Sequence, residues 1–161
     1  MLRPDRFAPR LKDVDLTELQ RAGIRGLIID LDNTLLGFAQ TELAADHLAW
    51  VREAHERAFA ICMVSNNFSE RVGTIAAQLG IQCVPNALKP LPFGFLRAKK
   101  MLGFPRRQIA VVGDQLFTDV LGGKLCGHYT ILTEPIEQKD FPITRFFRFF
   151  ERLMLPQRRS P

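Results

Sequence analysis

Short, continuous apolar runs recur along residues 24–132 of this chain, separated by longer stretches of mixed polarity. The runs lack the alternation of polar and apolar residues that marks a strand with one face in water. They therefore predict strands buried on both faces. The predicted strands are residues 27–29, 59–64, 82–84, 109–112 and 129–132.

The stretches between these runs carry the start and stop signals of helices. Thr41 is a predicted N-cap of a helix that continues through Glu56. Ser69 is a predicted N-cap of the next helix, which Gly80 ends. A further helix is predicted from Pro92 to residue 103, and a shorter one over residues 117–124.

Strands that alternate with helices predict an α/β fold. The expected structure is a single Rossmann-like domain over residues 1–161, with a mainly parallel sheet flanked by helices. Its chemistry-bearing core spans about residues 24–132. Because open parallel sheets bind ligands at the carboxyl ends of their strands, residues at those ends are the candidate site.

The composition is ordinary for a globular protein, with 161 residues, 47% hydrophobic and 24% charged. No apolar run approaches the ~20 residues of a membrane-spanning helix. The N-terminal stretch has no apolar segment of the secretory type, so we expect a cytoplasmic protein. Cys62, Cys83 and Cys126 have neither CxxC nor Cys–His spacing, which predicts reduced core cysteines rather than zinc ligands.

The net charge of +5 is concentrated at the two ends of the chain. Residues 1–12 carry +3 and residues 139–161 carry +4, which leaves −2 for the rest. This distribution fits contact with an anionic surface better than a domain that reads duplex nucleic acid.

Polar side chains follow most of the predicted strands. Taken singly, each fits a solvated turn, a helix cap or a surface position. Together they form a set that phosphoryl transfer requires, namely a nucleophile, acids for a divalent cation and donors for phosphate oxygens. The set is Asp30, Asp32, Ser65, Asn66, Lys89 and Asp114.

These residue types suggest separate roles in the reaction. Asp30 is a candidate nucleophile on phosphorus. Asp32, on the same side of the strand if the extended geometry persists, is a candidate general acid and base. Asp114 would join Asp30 in binding Mg2+, a cation that prefers oxygen ligands. Ser65 offers a hydroxyl to phosphate, and Lys89 offsets negative charge.

The order of these motifs resembles the haloacid dehalogenase superfamily of phosphatases. The matching stretches are DLDNT at 30–34, VSNN at 64–67, Lys89 and GDQLFTD at 113–119. The resemblance implies that Asp32 also gives its backbone carbonyl to the metal and that Asp119 is an outer-shell acid. It assigns phosphate binding to Ser65, Asn66 and Lys89.

The gaps between the motifs are short. Residues 34–65 hold little beyond one helix, and residues 67–89 hold one helix and one strand. Neither gap has room for the cap domain that many superfamily members insert at these places. We therefore expect an open site that accepts large or membrane-embedded phosphoesters.

A finer resemblance lies outside the motifs. LRPD at 2–5, the segment from Asp13 to Leu36 and SNN at 65–67 resemble the YqeG-type capless phosphatases. That group includes phosphatidylglycerophosphate phosphatases. The resemblance implies a phospholipid phosphate substrate, with phosphatidylglycerol as product, and a protein peripheral to the inner face of a membrane. A soluble phosphoester or a phosphoprotein is the alternative substrate.

The C-terminal segment predicts an amphipathic helix over about residues 143–155. An apolar face flanked by arginines fits a helix lying in an anionic membrane interface. Docking of the same face on the protein's own sheet is an equally open interpretation, and a partner's groove is a third, smaller one. The candidate membrane contacts are Phe146, Phe147, Phe150, Arg145, Arg148 and Arg152.

Two other function classes are weighed against an enzyme. A noncatalytic binding protein on the same fold is disfavoured because the set of motif residues is complete. Nucleic-acid binding is prompted by the isoelectric point near 9.5, but acidic strand ends would repel phosphates without a metal. The sequence also lacks an aromatic-basic stripe, and we expect no nucleic-acid partner.

Overall fold

The computed structural model describes residues 2–37, 40–68 and 70–137. Within them a single sheet has the strand order β1-β6-β5-β2-β3-β4, and every neighbouring pair is parallel. The strands are β1 (Arg6–Ala8), β2 (Gly26–Ile29), β3 (Ala60–Val64), β4 (Gln82–Val84), β5 (Ile109–Gly113) and β6 (Tyr129–Thr133). The predicted α/β class with a parallel sheet is confirmed.

The helices connect the strands and cover both faces of the sheet. A short π-helical turn, Leu116–Val120, leads directly into the last of them. The helices are α1 (Leu16–Arg21), α2 (Ala45–Glu56), α3 (Glu70–Leu79), α4 (Pro92–Leu102) and α5 (Leu121–Leu125). Short 3-10 turns at Leu11–Asp13 and Arg106–Gln108 complete the connections.

The apolar runs of β2, β3 and β5 are buried on both faces, as predicted. The prediction is wrong for β4, because β4 is an edge strand in which Gln82 is exposed and Cys83 half-buried. In β2, Leu27 and Ile29 pack into one hydrophobic cluster with α2 and α3, while Ile28 packs into a second one with α4. Trp50 of α2 and Phe59 belong to the first cluster, and Phe95 of α4 belongs to the second. Burial on both sides places β2 in the centre of the sheet, between β3 and β5.

Two elements and one helix start differ from the sequence-based expectation. The strand β1 and the helix α1 were not predicted, because each is too short to show a period of its own. Thr41 does not cap α2, which begins at Ala45 with Ala44 in the cap position. The preceding loop is instead held by the bond from the Gln40 amide to the carbonyl oxygen of Gly37.

No cap domain is present among the described residues. Between β2 and β3 they contain only α2, and between β3 and β4 only α3. The predicted N-cap Ser69 and the predicted C-terminal helix, with its six candidate membrane contacts, lie outside the described residues. Within the described part of the chain, no helix has the length and apolar character needed to cross a bilayer.

Candidate active site

The predicted site residues stand at the carboxyl ends of adjacent strands. Asp30 follows β2, Ser65 follows β3 and Asp114 follows β5. The amide of Asp30 still donates to the carbonyl oxygen of Val112 on β5, which extends the ladder by one residue. Parallel strands end at one edge of a sheet, so these side chains meet there. We call this edge the catalytic edge.

A buried lysine joins two of the carboxylates. The Nζ atom of Lys89 lies 2.6 Å from Oδ1 of Asp30 and 2.6 Å from Oδ1 of Asp119. The three side chains are only 5%, 8% and 2% exposed, respectively. Charged groups this buried are costly unless paired, and the shared ammonium offsets part of that cost.

Asp114 completes a cluster of three acids. Asp30, Asp114 and Asp119 each offer a carboxylate oxygen, and these oxygens lie within 4.8 Å of one another. The hydroxyl of Thr34 lies 3.4 Å from oxygens of both Asp30 and Asp114. Clustered carboxylate oxygens are the ligands that Mg2+ prefers, so the cluster could hold a divalent cation.

The electrostatics of the site favour an added positive charge. Burial raises the pKa of Asp30 well above its usual range, and the charge of Asp119 raises it further. Burial and Asp119 also raise the pKa of Asp114 to about 6. Burial acts to lower the pKa of Lys89, but the two carboxylates outweigh it and the pKa is raised. A bound cation would stabilise the ionised carboxylates that one lysine leaves undercompensated.

Gly113, at the end of β5, leaves room for the carboxyl group of Asp119 close to the backbone of the strand. A Cβ atom at Gly113 would overlap the carboxyl group of Asp119. That carboxyl also accepts the Gln115 amide at 3.2 Å, within the tight π-helical turn that begins at Leu116. The structure places Asp119 in direct contact with Lys89 and in the acidic cluster that could hold a cation; its role as an outer-shell acid stays a prediction.

The loops after β3 and β4 are bonded to each other and fix Lys89. The side chain of Asn66 accepts the Lys89 amide at 2.7 Å and donates to the Lys89 carbonyl at 3.2 Å. Ser65 is fully buried, and its hydroxyl oxygen accepts the Asn67 amide at 3.0 Å. The Ser65 hydroxyl keeps a proton that it can donate to a phosphate oxygen.

Asp32 does not continue along the line of β2. The chain turns after Leu31, whose carbonyl accepts the amides of Thr34, Leu35 and Leu36. Asn33 in this turn has φ of 63°. The Asp32 carboxylate instead accepts Nη1 of Arg71 at 3.0 Å. The condition of persistent extended geometry is therefore not met, and the placement of Asp32 depends on this turn and on Arg71.

Sequence reasoning missed Arg71, the second residue of α3. Its Nη2 atom also donates to the carbonyl oxygens of Gly37 at 2.8 Å and Gln40 at 3.1 Å. One arginine therefore fastens the loop after β2 to α3. A single arginine in a helix gives no signal in the sequence, because its partners lie more than 30 residues away.

The fold and the site together define a class of protein, namely a Rossmann-like α/β domain with a lysine and three acids at the carboxyl edge of its sheet. Residues 11–127 match the model of the haloacid dehalogenase-like hydrolases. The chain belongs to this family, and it is a hydrolase. The expected family is confirmed.

Three known proteins illustrate the similarity. The chain is 36% identical to "Probable phosphatase YqeG" of Bacillus subtilis, over 94% of this chain and 88% of that protein. It is 29% identical to "Phosphatidylglycerophosphate phosphatase 1, chloroplastic/mitochondrial" of Arabidopsis thaliana, over 90% of this chain but 44% of that protein. A 3-deoxy-D-manno-octulosonate 8-phosphate phosphatase structure from Vibrio cholerae aligns with a TM-score of 0.52 and 20% identity, over 68% of each chain. At that identity the last comparison shows the fold alone.

Proposed function

We propose that this hydrolase is a Mg2+-dependent phosphatase that converts phosphatidylglycerophosphate to phosphatidylglycerol through an aspartyl-phosphate intermediate. The carrying observation is the buried cluster in which Lys89 contacts Asp30 and Asp119, with Asp114 close by. The similarity to a phosphatidylglycerophosphate phosphatase supports the choice of substrate. The absence of a cap among the described residues supports access for a lipid headgroup.

The first half-reaction transfers the phosphoryl group to the protein. A carboxylate oxygen of Asp30 attacks phosphorus, and the bond from phosphorus to the glycerol oxygen breaks. Asp32 donates a proton to that oxygen, so phosphatidylglycerol leaves as an alcohol. In the second half-reaction water attacks phosphorus, Asp32 takes its proton, and inorganic phosphate leaves as Asp30 is regenerated.

The remaining residues bind and orient the phosphate. Lys89 and the Ser65 hydroxyl would contact phosphate oxygens, and Asn66 would act through its two bonds to the Lys89 backbone. Mg2+, held by Asp30 and Asp114 with Asp119 beside them, would offset negative charge on the transferred group. The carbonyl oxygen of Asp32 is the further ligand that family resemblance predicts.

The test is release of phosphate from phosphatidylglycerophosphate in mixed micelles with Mg2+. We expect Asp30→Asn to abolish release because it removes the nucleophile, and a chelator to abolish release because it removes Mg2+. Glu56→Gln, an exposed change at the end of α2 away from the catalytic edge, is the matched control and should leave the rate unchanged.

Two results would contradict the proposal in different ways. Mg2+-dependent release from a water-soluble phosphomonoester, with none from the lipid, would keep the chemistry and reject the lipid substrate. No release from any phosphomonoester would reject the phosphatase itself.

A further inference from the structure

Five exposed apolar side chains lie toward the catalytic edge, three on the loops after β3 and β4 and two in the first turns of α4. Phe68 is 77% exposed, Phe93 62%, Leu88 52%, Leu96 51% and Leu91 39%. We call these five residues the apolar rim. A soluble surface carries scattered apolar residues, but several of this size beside one another indicate a binding surface.

Hydrogen bonds join the two loops of the apolar rim. The Asn86 amide donates to the carbonyl oxygen of Asn67 at 3.1 Å, and the Ala87 amide donates to that of Ser65 at 2.9 Å. These bonds bring the loop of Phe68 against the loop of Leu88. Both loops adjoin Lys89, whose backbone is bonded to Asn66.

In a loop that faces water, charged side chains are usually exposed and apolar ones buried, but around Lys89 this arrangement is reversed. Lys89 is 8% exposed, whereas the flanking Leu88 is 52% exposed. Leu88 also has φ of 55°, a left-handed conformation in which leucine is strained and asparagine or glycine is favoured. Its exposed side chain gains no core burial in return, so contact with an apolar medium outside the protein is the gain we infer.

Along α4, exposed apolar residues near the catalytic edge are followed by exposed basic residues, which is the order of acyl chains and headgroups in a bilayer. The helix runs away from the catalytic edge, because β4 ends at that edge and β5 begins at the opposite one. Phe93 and Leu96 are exposed near its start, and Arg97 and Lys100 are exposed further along. From Phe93 to Lys100 the helix rises about 10 Å. The helix contains no acidic residue.

We propose that the apolar rim docks on an anionic lipid bilayer, with Phe68, Phe93 and Leu96 at the acyl boundary and the basic side chains of α4 at the headgroups. This inference rests on the proposed function, because a lipid substrate places the catalytic edge against a membrane. A segment of the chain itself lying on the rim would obstruct entry at that edge, whereas a bilayer presents substrate there.

The first experiment is sedimentation with vesicles of phosphatidylcholine, with and without phosphatidylglycerol, and no substrate. The rim variant combines Phe68→Ser, Phe93→Ser and Leu96→Ser. We expect it to bind anionic vesicles at least about tenfold more weakly than the unchanged protein. The control combines Met101→Ser and Leu125→Ser, exposed apolar residues at the ends of α4 and α5 away from the catalytic edge, and should bind normally.

The second experiment separates docking from chemistry. The rim variant should lose activity on phosphatidylglycerophosphate in vesicles while it hydrolyses a small water-soluble phosphomonoester within about twofold of normal. Vesicle binding through the rim without any release from the lipid would contradict the proposed substrate and leave the rim as a membrane surface. If the rim variant hydrolysed the lipid as fast as the unchanged protein, docking through the apolar rim would be refuted and the proposed phosphatase function would stand.

A single change tests the strained position. Leu88→Asn should be at least as stable as the unchanged protein in chemical denaturation, because asparagine tolerates the left-handed conformation, and it should bind anionic vesicles more weakly. The inference would be overturned if Leu88→Asn and the triple rim variant both bound vesicles as strongly as the unchanged protein does. So would faster proteolysis of residues 138–161 in the rim variant with unchanged vesicle binding, since the terminal segment would then be the occupant.

Discussion

The shared ammonium of Lys89 makes a direct test of the site's electrostatics possible without any substrate. In Lys89→Met an unbranched apolar side chain of similar size replaces the lysine, and the charge is lost. Asp30 and Asp119, which each lie 2.6 Å from the ammonium, would then be buried without their cation. The perturbation therefore isolates the charge pair from the packing.

The expected loss can be estimated from burial and charge. Removing one partner of a buried ion pair costs about 3–5 kcal/mol, because the remaining charge is left uncompensated. For a domain of this size, a loss of that order lowers Tm by about 10 °C. Lys124→Met is the matched control: Lys124 pairs with Asp5 at 2.7 Å, but both side chains are about one-third exposed. A pair near the surface contributes about 1 kcal/mol or less.

The loss should depend on pH in a defined direction. Burial and Asp119 already raise the pKa of Asp30 above its unfolded value with Lys89 present, and removal of the ammonium raises it further. A carboxyl group with a raised folded-state pKa binds a proton more readily in the folded protein, so it stabilises the fold as pH falls. Lys89 itself has a raised pKa, so its contribution is fully present below about 10.5 and does not change between pH 5 and pH 7.5.

The assay is urea denaturation of Lys89→Met, Lys124→Met and the unchanged protein at pH 5 and pH 7.5, with chelator and with Mg2+. We expect the deficit of Lys89→Met to be smaller at pH 5, and smaller with Mg2+ at pH 7.5, since either a proton or a cation offsets the uncompensated carboxylates. Equal losses in the two lysine variants would refute the reasoning. A larger deficit for Lys89→Met at pH 5 than at pH 7.5 would refute the assigned sign.

Two further changes test how the site is assembled. Gly113→Ala should lower phosphatase activity at least about tenfold, because a Cβ there overlaps the carboxyl group of Asp119. Gly73→Ala is the control, because a Cβ there meets no atom within 4 Å. It should raise helix stability by up to about 1 kcal/mol in thermal denaturation. Arg71→Ala should lower kcat about 10- to 100-fold with little change in KM, because Arg71 orients Asp32. Added guanidinium should restore part of the rate. An unchanged kcat would show that Asp32 needs no such partner.

The order of elements was readable from the sequence because the signals are local. An unbroken apolar run such as residues 27–29 needs burial on both faces, which only an interior strand provides. Gly80 and Gly103 lie at helix ends with φ of 64° and 76°, values that glycine adopts without strain. The three-residue strand β1 escaped prediction because its stability comes from pairing with β6, more than 120 residues away.

The residues at the catalytic edge were also predictable as a set, because parallel strands deliver their carboxyl ends to one side of the sheet. Their individual partners were not. Only the fold reveals that Asn66 is bonded to the backbone of Lys89, that Asp32 turns toward Arg71 and that Asp119 contacts the lysine.

The sequence by itself therefore determined the class of fold, the edge that carries the site and the identity of the candidate acids, since these depend on periodicity and on residue order along the chain. The tertiary structure decided which charges are paired and which apolar side chains remain exposed. Lys89 and Leu88 are neighbours in the chain, yet one is buried and the other is exposed. That difference arises from carboxylates that follow other strands, and burial of a charge is favourable only where the folded chain brings its counter-charges.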